Sequence, residues 1–314
     1  MKPDVVSLGE PMVELCATDV GRLGRVELFK RGWGGDTSNF AVAAARTGSK
    51  VGHVCRLGDD EFGRSFMELW GREGVDASRV VVELGAWTAI YIISLVGGGG
   101  HDFTYYRAGS AASRYSVGDL DPEYVASAKV FHTSGITLAV SQSLREAALQ
   151  AMDLCKEAGG KVTFDVNMRA KLWPIHTAKA ALNHAFRRAD TVFASMEDVS
   201  ILYGASDPVK AAEHIRGLGP ETVVIKLGSR GCHVNLEDDT FTCPGYKVKP
   251  VDTTGAGDAF DGAWVTATLD GRSLRETARF ANAVGAITAT GLGAVAPIPK
   301  RDQAVKLMEE QGDG

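Results

Sequence analysis

Long apolar runs and an excess of basic residues are both missing from this 314-residue chain. The longest apolar-looking run, Trp87 to Val96, is interrupted by polar residues and is far shorter than the roughly 20 residues needed to cross a bilayer. The net charge is −5, so the chain lacks the basic surface that would neutralise the phosphates of a nucleic acid. These absences argue against a membrane protein and against a nucleic-acid partner.

Paired cysteines and common cofactor motifs are also missing. The five cysteines are scattered without a C-x-x-C, which favours reduced thiols in a cytoplasmic protein. The sequence has no His/Cys spacing typical of zinc sites and no G-x-x-x-x-G-K-[ST] loop. A G-x-G-x-x-A match, Gly291 to Ala296, follows a helical segment instead of a strand, which disfavours a dinucleotide-binding oxidoreductase.

Short apolar strands alternate with helical segments along most of the chain. The strand-like runs are Val5–Leu8, Val51–Cys55, Val130–Thr133, Lys161–Asp165, Thr191–Ala194 and Thr222–Lys226. Helical periodicity occurs in Asp36–Arg46, Glu61–Arg72, Ser143–Ala158, Ala178–Arg188, Val209–Leu218, Gly257–Leu269, Leu274–Thr290 and Arg301–Glu310. This alternation predicts an α/β fold with a mostly parallel sheet and helices on both of its faces.

Two segments, about residues 11–33 and 85–112, lack this alternation and are rich in β-forming residues. In the second segment a glycine turn, Gly97–Gly100, predicts a hairpin. We expect the two segments to form a small β-sheet that covers a site as a lid, with a plain extension of the sheet as the alternative. The free edge of such a sheet favours a homo-oligomer, a dimer or larger. The chain is thus predicted to be one domain, residues 1–314.

A glycine-rich turn, Gly255-Ala256-Gly257, leads directly into a helix. Amides at a helix N-terminus attract anions, and glycine lets a bulky anion such as a phosphate approach the backbone. Asp258 lies inside this anion site, where it can accept a proton from a hydroxyl that attacks phosphorus. An ordinary loop with an acid in the first helical turn is the plainer alternative. An acid at this place is expected to stay ionised at neutral pH.

The run from Asp252 to Phe260 resembles the C-terminal signature of the ribokinase-like (PfkB) carbohydrate kinases. The resemblance implies that the Gly-Ala-Gly amides form an anion hole and that Asp258 is the catalytic base. It also implies a ribokinase-like three-layer sandwich and the use of ATP and Mg²⁺, with a monovalent cation such as K⁺ as a further candidate. A second run resembles the N-terminal signature of the same family, whose residues contact the sugar, at Gly34, Gly35, Asp36 and Asn39.

The run Tyr105-Tyr106-Arg107, at the end of the predicted lid, resembles the 2-keto-3-deoxygluconate (KDG) kinases of this family. The planar fork of Arg107 matches a carboxylate, which suits a sugar acid better than a neutral sugar. A solvated surface charge is the alternative for this arginine. The resemblance implies further substrate contacts for Glu10, Tyr91, Asn167 and Arg169.

The remaining matches concern the nucleotide and its metal. The resemblance implies nucleotide contacts for Asn167, Arg169, Ser195, Lys226, Gly228, Gly231 and Asn282, together with the turn Gly255 to Gly257. At Ala194–Asp198 the chain departs from the family's Asn-x-x-Glu, which helps to organise Mg²⁺, because Ser195 replaces Asn and Asp198 replaces Glu. Glu197 or Asp198 could still serve through water, since Mg²⁺ keeps several of its waters.

The sequence therefore predicts an ATP-dependent kinase that phosphorylates a sugar acid, KDG, at its terminal hydroxyl to give 2-keto-3-deoxy-6-phosphogluconate. A PfkB kinase acting on a neutral sugar, fructose or ribose, or on a nucleoside is the nearest alternative. A sugar- or nucleotide-binding regulator without catalysis is a further one, against which the presence of Asp258 argues.

Overall fold

The structure is a computed structural model that describes residues 2–96 and 100–312. In chain order the strands are β1 (Val5–Leu8), β2 (Met12–Val20), β3 (Phe29–Gly34), β4 (Val51–Val54), β5 (Arg56–Gly58), β6 (Val81–Glu83), β7 (Ala89–Val96), β8 (Gly100–Tyr106), β9 (Val130–Ser134), β10 (Lys161–Asp165), β11 (Thr191–Ser195), β12 (Thr222–Lys226), β13 (Cys232–Asn235) and β14 (Thr240–Cys243). The α-helices are α1 (Asp36–Thr47), α2 (Glu61–Glu73), α3 (Pro122–Ala126), α4 (Gly135–Val140), α5 (Gln142–Glu157), α6 (Ile175–Phe186), α7 (Met196–Tyr203), α8 (Pro208–Arg216), α9 (Ala256–Leu269), α10 (Leu274–Thr288) and α11 (Arg301–Gln311).

The central sheet has the strand order β14-β13-β12-β11-β10-β9-β1-β4. The strands from β4 to β12 in this order run parallel, which confirms the predicted mostly parallel sheet. The antiparallel hairpin β13–β14 at one edge was not predicted, because the alternation of polar and apolar residues in each strand extends over only four residues. Since parallel strands end at the same edge of a sheet, the residues that follow them are brought together there.

Helices cover the central sheet on both faces. Along β12, Val224 packs into one hydrophobic core, whereas its neighbours Val223 and Ile225 pack into the other. The first core contains residues of α1, α2, α9 and α10, and the second contains residues of α5, α6, α7 and α8. This alternation produces the predicted three layers. Among the helices that the structure describes, none is long and apolar enough to span a membrane.

A second, smaller sheet has the order β3-β2-β7-β8 and confirms the predicted β-sheet outside the main one. Strands β7 and β8 pair antiparallel, as the predicted hairpin requires, but Gly97–Gly99 of its turn lie outside the described residues. The predicted segment 85–112 is longer than the hairpin, because β8 ends at Tyr106 and a 3₁₀ turn follows at Ala112–Arg114. The lid function of this sheet and an oligomer formed through its edge stay predictions.

Candidate active site

The turn before α9 requires glycine at Gly255. Its φ is +77°, and a Cβ on this residue would lie 2.6 Å from the carbonyl oxygen of Ala294. The amides of Gly255 and Gly257 donate no hydrogen bond to any described residue, so both are available to an anion. The amide of Ala256, which was predicted to line the same anion hole, donates instead to the carbonyl oxygen of Thr253 at 3.2 Å. Of the three amides predicted to form an anion hole, the two glycine amides are therefore without a protein acceptor among the described residues.

Asp252 fastens this turn to a neighbouring loop. One oxygen of the buried Asp252 carboxylate accepts two hydrogen bonds from Thr254, one from the amide at 2.9 Å and one from the side-chain hydroxyl at 2.7 Å. The other oxygen accepts from the amide of Gly293 at 2.9 Å. Both oxygens serve backbone geometry, which explains the need for an acid at the start of the glycine-rich run.

Asp258, in the first turn of α9, meets a residue from the other end of the chain. The side-chain amide of Asn39, on α1, donates a 2.8 Å hydrogen bond to its Oδ2 atom. Burial, and after it the nearby Asp36 carboxylate, raises the pKa of Asp258 to about 7. The hydrogen bond from Asn39 and the charge of Lys226 lower this pKa, but by less. The expectation that this acid stays ionised at neutral pH is therefore wrong, because desolvation and like charge outweigh the helix dipole.

Asp36, the first residue of α1, is the second carboxylate of the site. It is buried and accepts hydrogen bonds from the amide of Thr37 at 2.8 Å and from the side chain of Asn167 at 3.2 Å. Burial raises the pKa of Asp36, and the charges of Arg169 and Arg107 oppose that rise. Asn167 has a φ of +34°, a rare conformation that turns the chain at the end of β10 towards this acid.

Arg169 and Arg107 differ in their partners. The side chain of Arg169 is exposed and makes no hydrogen bond or ion pair with any residue that the structure describes. Arg107 is only 10% exposed and forms an ion pair with the fully buried Glu10, which also accepts a 3.3 Å hydrogen bond from Ser110. The alternative of a solvated surface charge for Arg107 is therefore wrong.

The three tyrosines of the second sheet differ in their contacts and in their burial. The guanidinium of Arg107 lies 5.6 Å from the ring centre of Tyr105, whereas Tyr106 is 60% exposed. The buried Tyr91 donates a 2.6 Å hydrogen bond to Glu14. Burial raises the pKa of Glu14, a residue that sequence reasoning missed. The signal was present, since an acid in the mostly buried strand β2 needs a partner or a function.

Lys226, the last residue of β12, makes ion pairs with two acids. Its ammonium lies 3.0 Å from Asp165, at the end of β10, and 3.0 and 3.2 Å from the two carboxylate oxygens of Asp261 on α9. Burial disfavours the charged form of Lys226, but the two carboxylates outweigh it and raise its pKa. Asp261 was also missed, although its spacing of three residues from Asp258 places both acids on one side of α9.

The residues proposed for Mg²⁺ form a helix cap. Both oxygens of Asp198 are used, because one accepts from the amide of Met168 at 2.7 Å and the other from the amide and hydroxyl of Ser195 at 2.7 Å. Glu197 is exposed. Within residues 2–96 and 100–312 no group of three or more His, Cys, Asp or Glu side chains could hold a metal ion. Direct ligation by Asp198 therefore does not fit this donor set, and a hydrated ion near Glu197 stays a prediction.

The other predicted nucleotide residues lie near the end of β14. Asn282 is buried and donates to the carbonyl oxygens of Cys243 at 3.3 Å and Pro244 at 3.2 Å. Gly231 packs against the same segment, and Gly228 opens a short 3₁₀ turn beside it. These contacts give both Asn282 and Gly231 structural roles, and their contact with a nucleotide stays a prediction.

Comparison with known proteins identifies the family of this chain. The chain matches the pfkB family of carbohydrate kinases over residues 2–301. It is 37% identical to a fructokinase-1 of Oryza sativa subsp. japonica, covering 97% of both chains, and 36% identical to a 2-dehydro-3-deoxygluconokinase of Thermoproteus tenax, covering 97% of this chain and 94% of the relative.

Solved structures agree as well. A putative ribokinase II of E. coli in complex with ATP and Mg²⁺ superposes with a TM-score of 0.91 at 25% identity, covering 98% of this chain and 99% of its own. A PfkB protein of Polaromonas sp. JS666 superposes with a TM-score of 0.86 at 34% identity, covering 97% and 99%. The fold is thus ribokinase-like, and the chain belongs to the pfkB family of ATP-using carbohydrate kinases.

Proposed function

We propose that this kinase transfers the γ-phosphoryl group of ATP to the terminal hydroxyl of a sugar acid, with KDG as the preferred acceptor. The observation that carries the proposal is the presence of two arginines at the carboxylates of the site. Arg169 lies two residues after Asn167, which donates a hydrogen bond to Asp36, and Arg107 is held by the buried Glu10. Because the side chain of Arg169 makes no hydrogen bond or ion pair with any described residue, it can bind a carboxylate without first losing such a contact. The similarity to a 2-dehydro-3-deoxygluconokinase, a kinase for the same sugar acid, supports this choice.

The proposed reaction uses Asp258 as the base. Its carboxylate accepts the proton of the attacking hydroxyl, and Asn39 holds the carboxylate in place through the 2.8 Å hydrogen bond. The amides of Gly255 and Gly257 stabilise the negative charge on the phosphoryl oxygens, which is the main requirement of phosphoryl transfer. A pKa of about 7 suits a base at neutral pH, because both of its protonation states are then populated.

Fructose is the second candidate acceptor, and one observation favours it. Glu10 already forms a buried ion pair with Arg107, so this arginine is not a free cation for a sugar that reaches this side of the site. A neutral sugar needs hydrogen-bonding groups instead of a free cation. The similarity to plant fructokinases points in the same direction.

A coupled assay of ADP release distinguishes these candidates. Mg·ATP is supplied with KDG, gluconate, fructose, ribose or adenosine, and the Asp258→Asn variant serves as the blank. Turnover selective for KDG is the expected result. Selective turnover of fructose, ribose or adenosine would contradict the sugar-acid proposal and leave the role of Asp258 intact. ATP binding without turnover of any acceptor would favour the regulator.

A further inference from the structure

The ion pairs of Lys226 form a buried cluster beneath the active site. We name Lys226, Asp165 and Asp261 the lysine cluster. Their side chains are 14%, 5% and 1% exposed, so water screens these charges little. They come from three elements, β12, β10 and α9, and therefore join the edge of the central sheet to the helix that carries Asp258.

The ammonium group already donates to two carboxylates of the protein. It has three N–H donors, and three carboxylate oxygens lie within 3.0 to 3.2 Å of it. The group is nevertheless close to the anion hole, because a Cβ placed on Gly257 would lie 3.3 Å from Nζ of Lys226. The positive charge of Lys226 therefore lies close to the glycine-rich turn, while its N–H groups donate to Asp165 and Asp261.

Asp258 is surrounded mostly by groups that oppose its ionisation. Asp36 faces it from α1 and Asp165 from the end of β10, and Asp261 lies on its own helix. The Tyr91 hydroxyl, from β7, is uncharged at neutral pH, because burial raises its pKa. Two groups favour the ionised form of Asp258: the Asn39 side chain, which donates a hydrogen bond to it, and Lys226, which lies nearby with a positive charge. The cations Arg107 and Arg169 act on the neighbouring Asp36.

We propose that Lys226 is a positioning residue for phosphoryl transfer: Asp165 and Asp261 fix its ammonium group where its charge favours the ionised form of Asp258. In this role Lys226 does not bind the nucleotide. The consequence for catalysis rests on the proposed function, whereas the effect on the ionisation of Asp258 does not depend on any acceptor.

A carboxylate NMR titration tests the ionisation directly. The protein is labelled with ¹³C at aspartate carboxyl groups, and the Asp258 resonance is assigned by its loss in Asp258→Asn. Lys226→Met removes the cation, so the Asp258 midpoint should rise by about 1 pH unit or more. Asp165→Asn removes an anion yet keeps an oxygen acceptor for Lys226, so the midpoint should fall by about 1 pH unit. Lys161→Met, at the exposed opposite end of β10, should leave it unchanged.

The decisive result is a higher Asp258 midpoint in Lys226→Met together with a lower midpoint in Asp165→Asn, because a loss of packing alone would not shift the two midpoints in opposite directions. Midpoints that do not move, or that move in the same direction, would overturn the proposal. If Lys226→Met does not fold, Lys226→Gln replaces it: it removes the same charge but keeps a hydrogen-bond donor for Asp165 and Asp261, and the Asp258 midpoint should still rise.

Kinetics give a second readout with the acceptor that the wild type uses. In each variant, the pH at which kcat/KM falls on the acidic side of its pH profile should shift with the Asp258 midpoint measured by NMR. KM for ATP should stay nearly constant. A rise of about tenfold or more in KM for ATP in Lys226→Met, with no shift in that pH, would assign Lys226 to the nucleotide instead. If the wild type phosphorylates no acceptor, the proposed function fails and the NMR titration still decides the inference.

Discussion

Replacing Gly255 by alanine tests whether the turn before α9 builds the anion hole. The left-handed φ of +77° costs an L residue about 1–2 kcal/mol of unfolding free energy. The new Cβ would also lie 2.6 Å from the carbonyl oxygen of Ala294, so the turn must move. We expect this steric conflict to add about 1–3 kcal/mol, the usual cost of overpacking.

Gly271 offers a matched control just beyond the other end of α9. Its φ is +76°, and a Cβ there would meet no atom within 4 Å. Gly271→Ala should therefore lose only the conformational term, about 1–2 kcal/mol, and retain its turnover. Gly255→Ala should in addition lose about 10²-fold in kcat, because displaced amides stabilise the transition state less well.

Urea unfolding followed by circular dichroism measures the two free energies, and the ADP-release assay measures turnover of the acceptor that the wild type uses. Equal stability losses in the two variants would show that the contact with Ala294 has no energetic effect. Full turnover in a destabilised Gly255→Ala protein would separate the turn from catalysis and refute the anion hole.

Four further predictions concern the acids and the arginine of the same site. Asp258→Asn should fold and lose about 10²–10⁴ in turnover, the usual effect of a positioned base, and near-normal turnover would contradict that role. Since the pKa of Asp258 is raised from 3.8 to about 7 in the folded state, its ionisation destabilises the wild type as the pH rises between these values. The unfolding free energy of Asp258→Asn relative to wild type should therefore increase over this interval and level off above it, and a constant difference would exclude the raised pKa. Arg107→Ala should raise KM for a sugar acid far more than KM for a neutral sugar, and equal effects would remove the carboxylate assignment. Glu10→Gln, which removes the charge that neutralises Arg107, should lower KM for gluconate or KDG but not for fructose, and an unchanged ratio would show that Glu10 does not control the choice of acceptor.

Local patterns predicted the elements of this fold well. The strand Lys161–Asp165 was placed with its observed bounds, because a buried parallel strand is a short apolar run between helical segments. The hairpin β13–β14 was not predicted, since its pairing depends on packing at a sheet edge and not on a sequence period within each strand. Periodicity reports the face that an element buries, and that information is weakest for the shortest strands.

The site was predictable where its residues are neighbours in sequence. The glycine-rich turn and Asp258 form one motif, whereas Glu14 and Asp261 are single acids whose partners come from distant elements. The ionisation of Asp258 was misjudged for the same reason. Helix position is visible in the sequence, but the burial and the Asp36 carboxylate that raise its pKa arise only in the folded chain.

The hydrogen bond between Asn39 and Asp258 joins residues 219 positions apart and has a consequence for synthesis. A ribosome completes α1 long before α9, so a nascent chain carries the sugar-side half of the site without its base. Gly262 of α9 packs closely against the backbone at Phe40, and a truncated chain would leave that surface of α1 uncovered. With Asp258 as the proposed base, we expect phosphoryl transfer to begin only after the last third of the chain has docked.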